Sequence, residues 1–263
     1  MNRRDFLLKS TSLLTGSLFG LNGFSKALAF REQENKPVSK HLIALIIDDI
    51  GFSFYRTRIF LDLKVPITFS ILPRLIHSRD LAYEIHDKGH EIMLHQPMEP
   101  LSSHIDPGPG ALYVGYGDMR IADIMEENIG NVPFAAGVNN HMGSKFTECP
   151  REIKEALKVV RKKDLFFVDS LTSSRSMGYK TARGLHMPAA CRNIFLDNVP
   201  NESDILVQLD KLKRHAQKYG RAIGIGHPFP ETASAIGHFL DNIKVSGISL
   251  VHVSKVLFPL SYS

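Results

Sequence analysis

Short apolar segments alternate with segments of helical spacing along most of this 263-residue chain. Apolar runs such as 43–47 and 67–72 are typical of strands, and the stretches between them are long enough for helices. Alternation of this kind predicts parallel strands joined by crossover helices. We expect an α/β fold, for which a closed or nearly closed β/α barrel of seven or eight strands is the natural solution and a doubly wound open sheet is the alternative.

The predicted elements follow one another with short connections, except in two places. The predicted strands cover 43–47, 67–72, 91–94, 134–138, 165–168, 194–196, 222–225 and 248–251, and the predicted helices cover 54–63, 78–88, 118–128, 151–162, 204–218 and 231–240. A Pro-Gly-Pro-Gly run excludes regular structure from the long loop 96–117, which we interpret as functional. Residues 170–188 show no regular pattern.

The first 29 residues have the composition of an export signal. Two arginines at positions 3 and 4 precede an apolar stretch at 13–24, and Ala27-Leu28-Ala29 resembles a cleavage site. The arginine pair favours a twin-arginine signal, with an ordinary secretory signal or an uncleaved anchor as alternatives. We predict a signal peptide at 1–29, a linker at 30–40, one domain at 41–258 and a tail at 259–263. Such a protein is periplasmic or exported, without stable membrane insertion after cleavage.

Charge gives no support for nucleic-acid binding. The formal net charge is +5, but four basic residues and one acidic residue lie within 1–29, so the remainder carries about +2. The two cysteines, Cys149 and Cys191, lie far apart in the sequence. They either pair in an oxidising compartment or remain small side chains within the fold.

Side chains suited to acid–base or metal chemistry follow most of the predicted strands. Asp48 and Asp49 end the first apolar run, where one carboxylate could instead cap the next helix while the other is solvated. In a parallel barrel the carboxyl ends of all strands meet at one mouth. The other residues at such positions are His95, Glu99 four residues beyond it, Asn139, Asn140, His141, Asp169 and His227.

A carboxylate beside imidazoles is the ligand set of a divalent ion such as Zn²⁺ with an open position for water. Such an ion lowers the pKa of its bound water, a second carboxylate can act as general base, and a histidine opposite can act as general acid. The chain has 12 histidines, so the placement at strand ends is what distinguishes His95, His141 and His227.

Five segments, taken in order, resemble a known family. They are DDIG at 48–51, LHQPMEP at 94–100, GVNNHMGS at 137–144, FVDS at 167–170 and IGHP at 225–228. Together they are similar to the divergent polysaccharide deacetylases, the YibQ-like branch of the NodB-type carbohydrate deacetylases and esterases, over residues 40–258. The resemblance implies a deformed (β/α) barrel of about seven strands and metal-dependent removal of acetyl groups from a glycan.

By motif, the resemblance assigns Asp48 as the catalytic base and His227 as the general acid. It assigns Asp49 and His95 as ligands of a divalent metal, with zinc the expected ion. Water activated by the ion would then attack the acetyl carbonyl, and His227 would protonate the departing amine or alcohol.

The chain departs from the NodB-type pattern in two places. NodB-type proteins carry a second histidine four residues after the first, where this chain has Glu99. They also carry an Arg-Pro motif, whose arginine tunes the base, in the region where this chain has His141. Either His141, which we favour, or Glu99 completes the ligand set. The residues predicted to contact substrate are Asn139, Asn140 and Asp169.

Two functions follow from these features. The first is an exported metal-dependent deacetylase of an acetylated polysaccharide or cell-wall glycan; the second is a catalytically silent relative that binds glycan or a partner through the same cleft. A metal-dependent hydrolase of peptides or phosphate esters is disfavoured, since the sequence has neither an H-E-x-x-H motif nor a phosphate-binding glycine loop. Tyr113, Tyr116 and Phe229 are candidates for stacking against sugars. The sequence leaves the oligomeric state open.

Overall fold

The computed structural model of the protein describes residues 41–243 and 246–257, within a compact unit that spans Lys40–Ser263. The predicted signal peptide, linker and tail lie outside the described residues. The described strands are β1 (His41–Ile50), β2 (Thr68–Ile71), β3 (Glu91–Met98), β4 (Ala135–Met142), β5 (Phe166–Asp169), β6 (Ala189–Cys191), β7 (Ile194–Phe195), β8 (Arg221–Gly226) and β9 (Ile248–Leu250). The described helices are α1 (Phe54–Leu61), α2 (Ser78–Asp87), α3 (Asp118–Asn131), α4 (Pro150–Lys162), α5 (Gly178–Gly184), α6 (Glu202–Tyr219), α7 (Pro230–Ile243) and α8 (Val253–Leu257).

The described strands form one sheet in which every pairing is parallel. The spatial order is β6-β5-β4-β3-β2-β1-β8-β7, and β9 pairs with the first residues of β1. From β1 to β6 each strand lies beside its predecessor, so right-handed crossovers keep the intervening helices on one outer face. In a doubly wound sheet the spatial order of successive strands would reverse near the middle of the sheet. The predicted barrel is therefore confirmed, with nine strands in the described part of the chain where about seven were expected.

The barrel is deformed between β6 and β7, which stand at the two ends of the sheet. Arg192 N–H donates to Asp169 O at 3.0 Å on one side, and Asn193 N–H donates to Ile223 O at 2.9 Å on the other. Two consecutive residues thus join both edges and nearly close the cylinder. The sequence pattern missed β6 and α5. A three-residue strand and a seven-residue helix in a polar segment are too short to show an apolar periodicity.

Alternate residues of β1 face opposite sides of the sheet. Ile43, Leu45 and Ile47 pack in the larger core under the helices, whereas Ala44 and Ile46 belong to a smaller cluster inside the barrel. The other buried members of the inner cluster are Met93, Phe166, Val168, Ile223, Ile225, Val253 and Val256. Because the strands are parallel, the inward-facing side chains of β1, β3, β5 and β8 all lead to the same mouth of the barrel, at the carboxyl ends of the strands.

A bulge in β4 turns its last residues inward. Ile92 pairs with Ala135, but Met93 pairs with Gly137, so β4 contains one extra residue at this point. Beyond it, Val138 packs in the outer core. Gly137 faces the inner cluster, where a Cβ atom would lie 2.2 Å from the Phe166 ring.

Two further expectations can be compared with the described residues. Cys149 and Cys191 are both free thiols, so the pairing left open by the sequence does not occur in this structure. Within 41–243 and 246–257, no helix combines the length and the apolar character needed to cross a bilayer.

The contact between Gly137 and Phe166 predicts a large cost for Gly137→Ala. The added methyl group must displace the ring or the strand, so we expect the free energy of unfolding to fall by about 1–3 kcal/mol. The matched control is Gly130→Ala in α3, where a Cβ meets no atom within 4 Å; this helical substitution should raise stability by up to about 1 kcal/mol. Urea denaturation measures both. Equal stability of Gly137→Ala and the wild type would contradict the packing described here.

Candidate metal centre and active site

A β-bulge at the end of β1 brings both aspartates of the predicted pair to the barrel mouth. Between Ile47 and Ile50, β1 takes three steps while its partner β2 takes two. Adjacent residues of a regular strand point to opposite faces, but the extra residue removes this alternation, and Asp49 adopts a left-handed conformation with φ of 57°. Asp48 and Asp49 therefore both face the strand-end histidines.

Three donor atoms from three strands form a nearly equilateral triangle at the mouth. Asp49 Oδ1 lies 3.2 Å from His95 Nε2 and 3.0 Å from His141 Nδ1, and the two imidazole nitrogens lie 3.1 Å apart. The His95 side chain is buried, and those of Asp49 and His141 are partly exposed. Among the described residues, these three form the group of acidic and imidazole donors that is compact enough to share one metal ion.

The triangle fits a divalent ion such as zinc. Ligand bonds of about 2.0–2.2 Å at tetrahedral to octahedral angles separate neighbouring donors by roughly 2.8–3.6 Å, a range that contains all three edges. Asp49 Oδ1 is buried and accepts no hydrogen bond of normal geometry, although two imidazole nitrogens lie within 3.2 Å of it. A buried carboxylate oxygen without a hydrogen bond requires another partner. A metal cation would serve, because the lone pairs of the two nearby imidazole nitrogens could bind the same ion.

Burial and charge give the two aspartates different protonation behaviour. Burial raises the pKa of Asp48, which is 2% exposed, above the ordinary aspartate value, against the opposing charges of His95 and His227. Burial acts in the same direction on Asp49, but the close approach and the charge of the His141 and His95 imidazoles outweigh it and hold the pKa of Asp49 well below its usual range. Asp49 is thus suited to remain an anionic ligand, whereas Asp48 is suited to exchange a proton.

His227 directly follows β8, which neighbours β1 on the side away from β2, and forms a pair with Asp197. Its Nδ1 is 2.8 Å from Asp197 Oδ1, and its Nε2 is 4.0 Å from Asp49 Oδ2. The second oxygen of Asp197 accepts hydrogen bonds from the backbone N–H of His227 and from Thr232 Oγ1. Burial lowers the pKa of His227, but the hydrogen bond and charge of Asp197 outweigh it and raise the pKa to about 9. His227 therefore carries a proton near neutral pH.

Two cavities open at this mouth. The first, of about 310 Å³, is lined by Asp48, Asp49, His95, Asn140, His141, Met142, Ser170, Thr172, Phe195 and His227. The second, of about 140 Å³, shares Asp49 and His227 with the first and is bordered by Phe52, Arg56 and Phe229. The donor triangle, the second carboxylate and the protonated histidine are thus all accessible from one continuous region.

The structure does not bring Glu99 into the triangle. Glu99 Oε2 accepts the Val114 N–H at 2.7 Å, and Oε1 pairs with Lys145 Nζ at 2.6 Å. These contacts tie the long loop 96–117 to the turn after β4, so the carboxylate has a structural partner on each oxygen. Glu99, the alternative ligand that sequence reasoning left open, therefore lies outside the donor triangle, whereas His141 forms one of its corners.

The three residues predicted to contact substrate occupy different depths. Asn140 lines the larger cavity, although its side chain also bonds to Met142 O and the Ser170 N–H. Asp169 is fully buried, and its oxygens accept hydrogen bonds from the Leu171 N–H, Ser176 Oγ and the Tyr179 N–H. Asn139 is also fully buried, behind the triangle, and lines neither cavity.

Of the aromatic residues predicted to stack against sugars, Phe229 borders the smaller cavity. Tyr113 and Tyr116 lie with their ring centroids 5.6 Å apart, and the Arg120 guanidinium covers Tyr116 at 3.6 Å. Neither tyrosine lines the two cavities at the mouth. Phe52, which is 64% exposed, borders the smaller cavity together with Asp49 and Phe229.

Sequence reasoning missed Asp197 and Phe52. Asp197 follows the predicted strand 194–196 directly, so the strand-end rule that selected Asp169 also applies to it. Nothing in a single sequence separates an exposed aromatic residue such as Phe52 from one that packs in the core.

Comparison with known proteins places these features in a family. Residues 45–257 match the family model described as divergent polysaccharide deacetylase. A relative from Escherichia coli, described as the uncharacterised protein YibQ, is 32% identical over 223 residues, which cover 85% of this chain and 69% of the relative. The crystal structure of an uncharacterised protein from Agrobacterium tumefaciens has a TM-score of 0.78 at 25% identity and covers 82% of this chain and 89% of that chain.

Two further crystal structures share the fold at low identity. The catalytic domain of a peptidoglycan N-acetylglucosamine deacetylase from Eubacterium rectale has a TM-score of 0.54 at 13% identity, covering 85% of this chain and 92% of that chain. A pseudoenzyme of the CE4 family from Bacillus anthracis has a TM-score of 0.54 at 14% identity, covering 84% of this chain and 66% of that chain. The fold is therefore compatible with either an active or a silent site.

The Asp197–His227 pair predicts a specific pH dependence in the metal-free protein. Because the folded-state pKa of His227, about 9, exceeds the ordinary value of about 6.5, the pair stabilises the fold fully below pH 6.5 and loses this contribution as the pH rises through 9. In Asp197→Asn we expect the pKa of His227, followed by NMR of its imidazole, to fall towards about 6.5. Between pH 6.5 and 9, Asp197→Asn should therefore lose less stability than the wild type loses.

Glu202→Gln provides the control for this prediction. Glu202 Oε1 pairs with His238 on an exposed part of α6, so its substitution should leave the pKa of His227 unchanged. An unchanged pKa of His227 in Asp197→Asn would show that Asp197 is not the source of the shift.

Proposed function

The chain belongs to the divergent polysaccharide deacetylase family, and we propose that it is an exported, metal-dependent hydrolase that removes acetyl groups from a glycan. The observation that carries the proposal is the donor triangle of Asp49, His95 and His141, flanked by the buried carboxylate of Asp48 and the protonated imidazole of His227. This combination supplies a metal site, a base and an acid around one cavity.

The chain's own residues divide the work of hydrolysis. Asp49, His95 and His141 would hold a divalent ion, with zinc the expected one, and that ion supplies Lewis acidity towards the acetyl carbonyl and lowers the pKa of bound water. Asp48, whose Oδ2 lies 3.6 Å from His95 Nε2, takes the proton of the attacking water. His227 donates a proton to the departing amine or alcohol, and Asp197 on its Nδ1 leaves the Nε2–H facing the cavity.

An acetylated cell-wall polysaccharide is the substrate class we propose. The family is named for polysaccharides, and Phe52 and Phe229 border the smaller cavity, where their rings can pack against the apolar face of a sugar. The leader with Arg3-Arg4 supports export to the periplasm or cell envelope. Twin-arginine export carries folded proteins, which is compatible with loading of the metal before export.

A second candidate is a silent relative that binds glycan through the same cleft. The shared fold of the Bacillus anthracis pseudoenzyme favours keeping this candidate, because it shows that the fold does not by itself carry activity. Metal content and turnover together distinguish the two functions.

The metal-site assignment predicts the metal content of purified variants. After removal of metal by a chelator and incubation with zinc, we expect near one zinc per chain for the wild type by elemental analysis. His95→Ala and His141→Ala each remove one of three protein ligands and should lower zinc affinity by at least about tenfold, since even partners of the ligands cost that much. Glu99→Gln should keep the wild-type content, because Glu99 bonds to Val114 and Lys145 instead. Zinc loss in Glu99→Gln together with retention in His141→Ala would reverse the assignment.

The acid–base assignment predicts loss of turnover with metal retained. Acetate release from N-acetylglucosamine oligomers, purified peptidoglycan and O-acetylated xylan measures activity. Asp48→Asn should bind zinc normally and lower the rate of acetate release by about 10²–10⁴-fold, as expected when a general base is removed. His227→Ala should lower the rate by a similar factor.

Two outcomes separate the two candidates, and a third tests the role of Asp48. Metal-dependent acetate release that is lost in Asp48→Asn supports the enzyme. Zinc binding and glycan binding without acetate release from any of these substrates would instead identify the silent relative. Full activity of Asp48→Asn would contradict the role of Asp48 as base.

A further inference from the structure

We propose that Asn139 is a positioning residue that couples the base to the metal site, holding Asp48 with its amide group and His95 with its carbonyl group. The inference rests on the function proposed above. It assigns a specific role to a residue that lies out of reach of the cavities and that sequence reasoning placed against the substrate.

Asn139 uses every polar atom of its side chain inside the barrel. Its Oδ1 lies 2.8 Å from His95 Nδ1 and accepts a hydrogen bond from Ser70 Oγ. Its Nδ2 donates to Asp48 Oδ1 at 2.9 Å and to Ser170 Oγ at 3.3 Å. All five residues are buried, so these hydrogen bonds do not exchange freely with water.

The orientation of the Asn139 amide follows from the contacts at its two ends. The amide nitrogen donates to Asp48 Oδ1, and the carbonyl oxygen already accepts a hydrogen bond from Ser70 Oγ, so each end of the amide has a partner of the matching kind. The carbonyl oxygen then faces His95 and acts as an acceptor there. His95 Nδ1 must therefore carry the imidazole proton, which leaves the Nε2 lone pair for the donor triangle.

The fold places Asn139 where it can make both contacts. His95 and Asn139 are direct neighbours in the β3–β4 ladder, and the bulge in β4 turns the asparagine side chain inward. Asp48 lies three strands away on β1 in the sheet order, with Ser70 on the intervening β2. The side chain of Asn139 thus reaches across the inside of the barrel, which only an inward-facing residue at this level can do.

One amide consequently sets two properties of the site. Its carbonyl selects the tautomer of His95 that can bind a metal through Nε2. Its amide group holds Asp48 Oδ1, which leaves Oδ2 free of this contact and 3.6 Å from His95 Nε2, on a side chain that lines the larger cavity. A residue with only a packing role would not affect these two properties separately.

Two substitutions separate the two contacts. Asn139→Asp has nearly the same shape and keeps an oxygen acceptor for His95, but it loses the donor to Asp48 and places a second carboxylate against it. Asn139→Ala removes both contacts. We expect Asn139→Ala to lower the affinity for Co²⁺ or Zn²⁺ by about 10–100-fold, the usual effect of removing a partner of a metal ligand. Asn139→Asp should keep the affinity within about threefold of the wild type while lowering kcat for acetate release by at least about 100-fold.

Co²⁺ titration followed by visible absorption provides the readout besides activity. The spectrum of the Co²⁺-loaded Asn139→Asp protein should match that of the wild type, because the three ligands are unchanged. The spectrum of Asn139→Ala should differ, because His95 can then rotate or adopt the other tautomer.

Asn128→Ala is the matched control for removal of a buried amide. Asn128 is also fully buried, but its side chain bonds to Gln96, Gly110 O and Arg74 and lies outside both mouth cavities. It should lose stability in urea while keeping the wild-type Co²⁺ affinity and spectrum. If Asn139→Ala fails to fold, the metal affinity and kcat of Asn139→Asp, compared with those of the wild type, test the coupling role alone.

The outcomes distinguish this inference from the proposed function. If the wild type binds metal but Asn139→Ala and Asn139→Asp show the same affinity and the same kcat as the wild type, the coupling role is wrong and the proposed function stands. Equal losses of affinity in both variants, in step with their loss of stability, would assign Asn139 a packing role only. Failure of the wild type itself to bind metal would overturn the proposed function, and the coupling role with it.

Discussion

The extra residue in β1 is the feature on which the rest of the site depends. In a regular strand Asp48 and Asp49 would point to opposite faces, and only one of them could reach the barrel mouth. The bulge, with Asp49 at φ of 57°, lets one aspartate join the donor triangle while the other lies behind it. Two like charges on adjacent residues are tolerated because His95 and His141 face one of them and burial raises the pKa of the other. Without the bulge, metal ligand and base could not come from neighbouring positions.

The inner and outer cores of the barrel explain why the remaining groups converge. Each strand sends one row of side chains into the helices and the other into the barrel, and the inward rows of β1, β3, β4 and β8 end at Asp48, His95, His141 and His227. The apolar side chains of the inner cluster fill the barrel below this level, so the polar groups at the mouth are partly dehydrated. In such surroundings charges interact strongly, which accounts for the opposite pKa shifts of the two aspartates and for the raised pKa of His227.

Much of this arrangement could be predicted from the sequence, because strand ends are marked by local pattern. The alternation of apolar runs predicted the parallel barrel, and the strand-end rule selected Asp48, Asp49, His95, His141 and His227. The sequence favoured His141 over Glu99 without excluding Glu99, since the exclusion depends on the bulge in β4 and on the contacts of Glu99 with Val114 and Lys145. The short elements α5 and β6 lacked periodicity, and Asn139 was assigned to the substrate because its burial depends on which way β4 faces. The twin-arginine signal stays a prediction, as residues 1–40 lie outside the described part of the chain.

The central claim is that one cation binds where β1, β3 and β4 meet. Anomalous X-ray diffraction at the zinc edge, on crystals of the protein loaded with zinc, tests it most directly. The account predicts one strong peak about 2.0–2.2 Å from Asp49 Oδ1, His95 Nε2 and His141 Nδ1. A peak coordinated by Glu99, or a fully loaded crystal with no peak at the triangle, would contradict it.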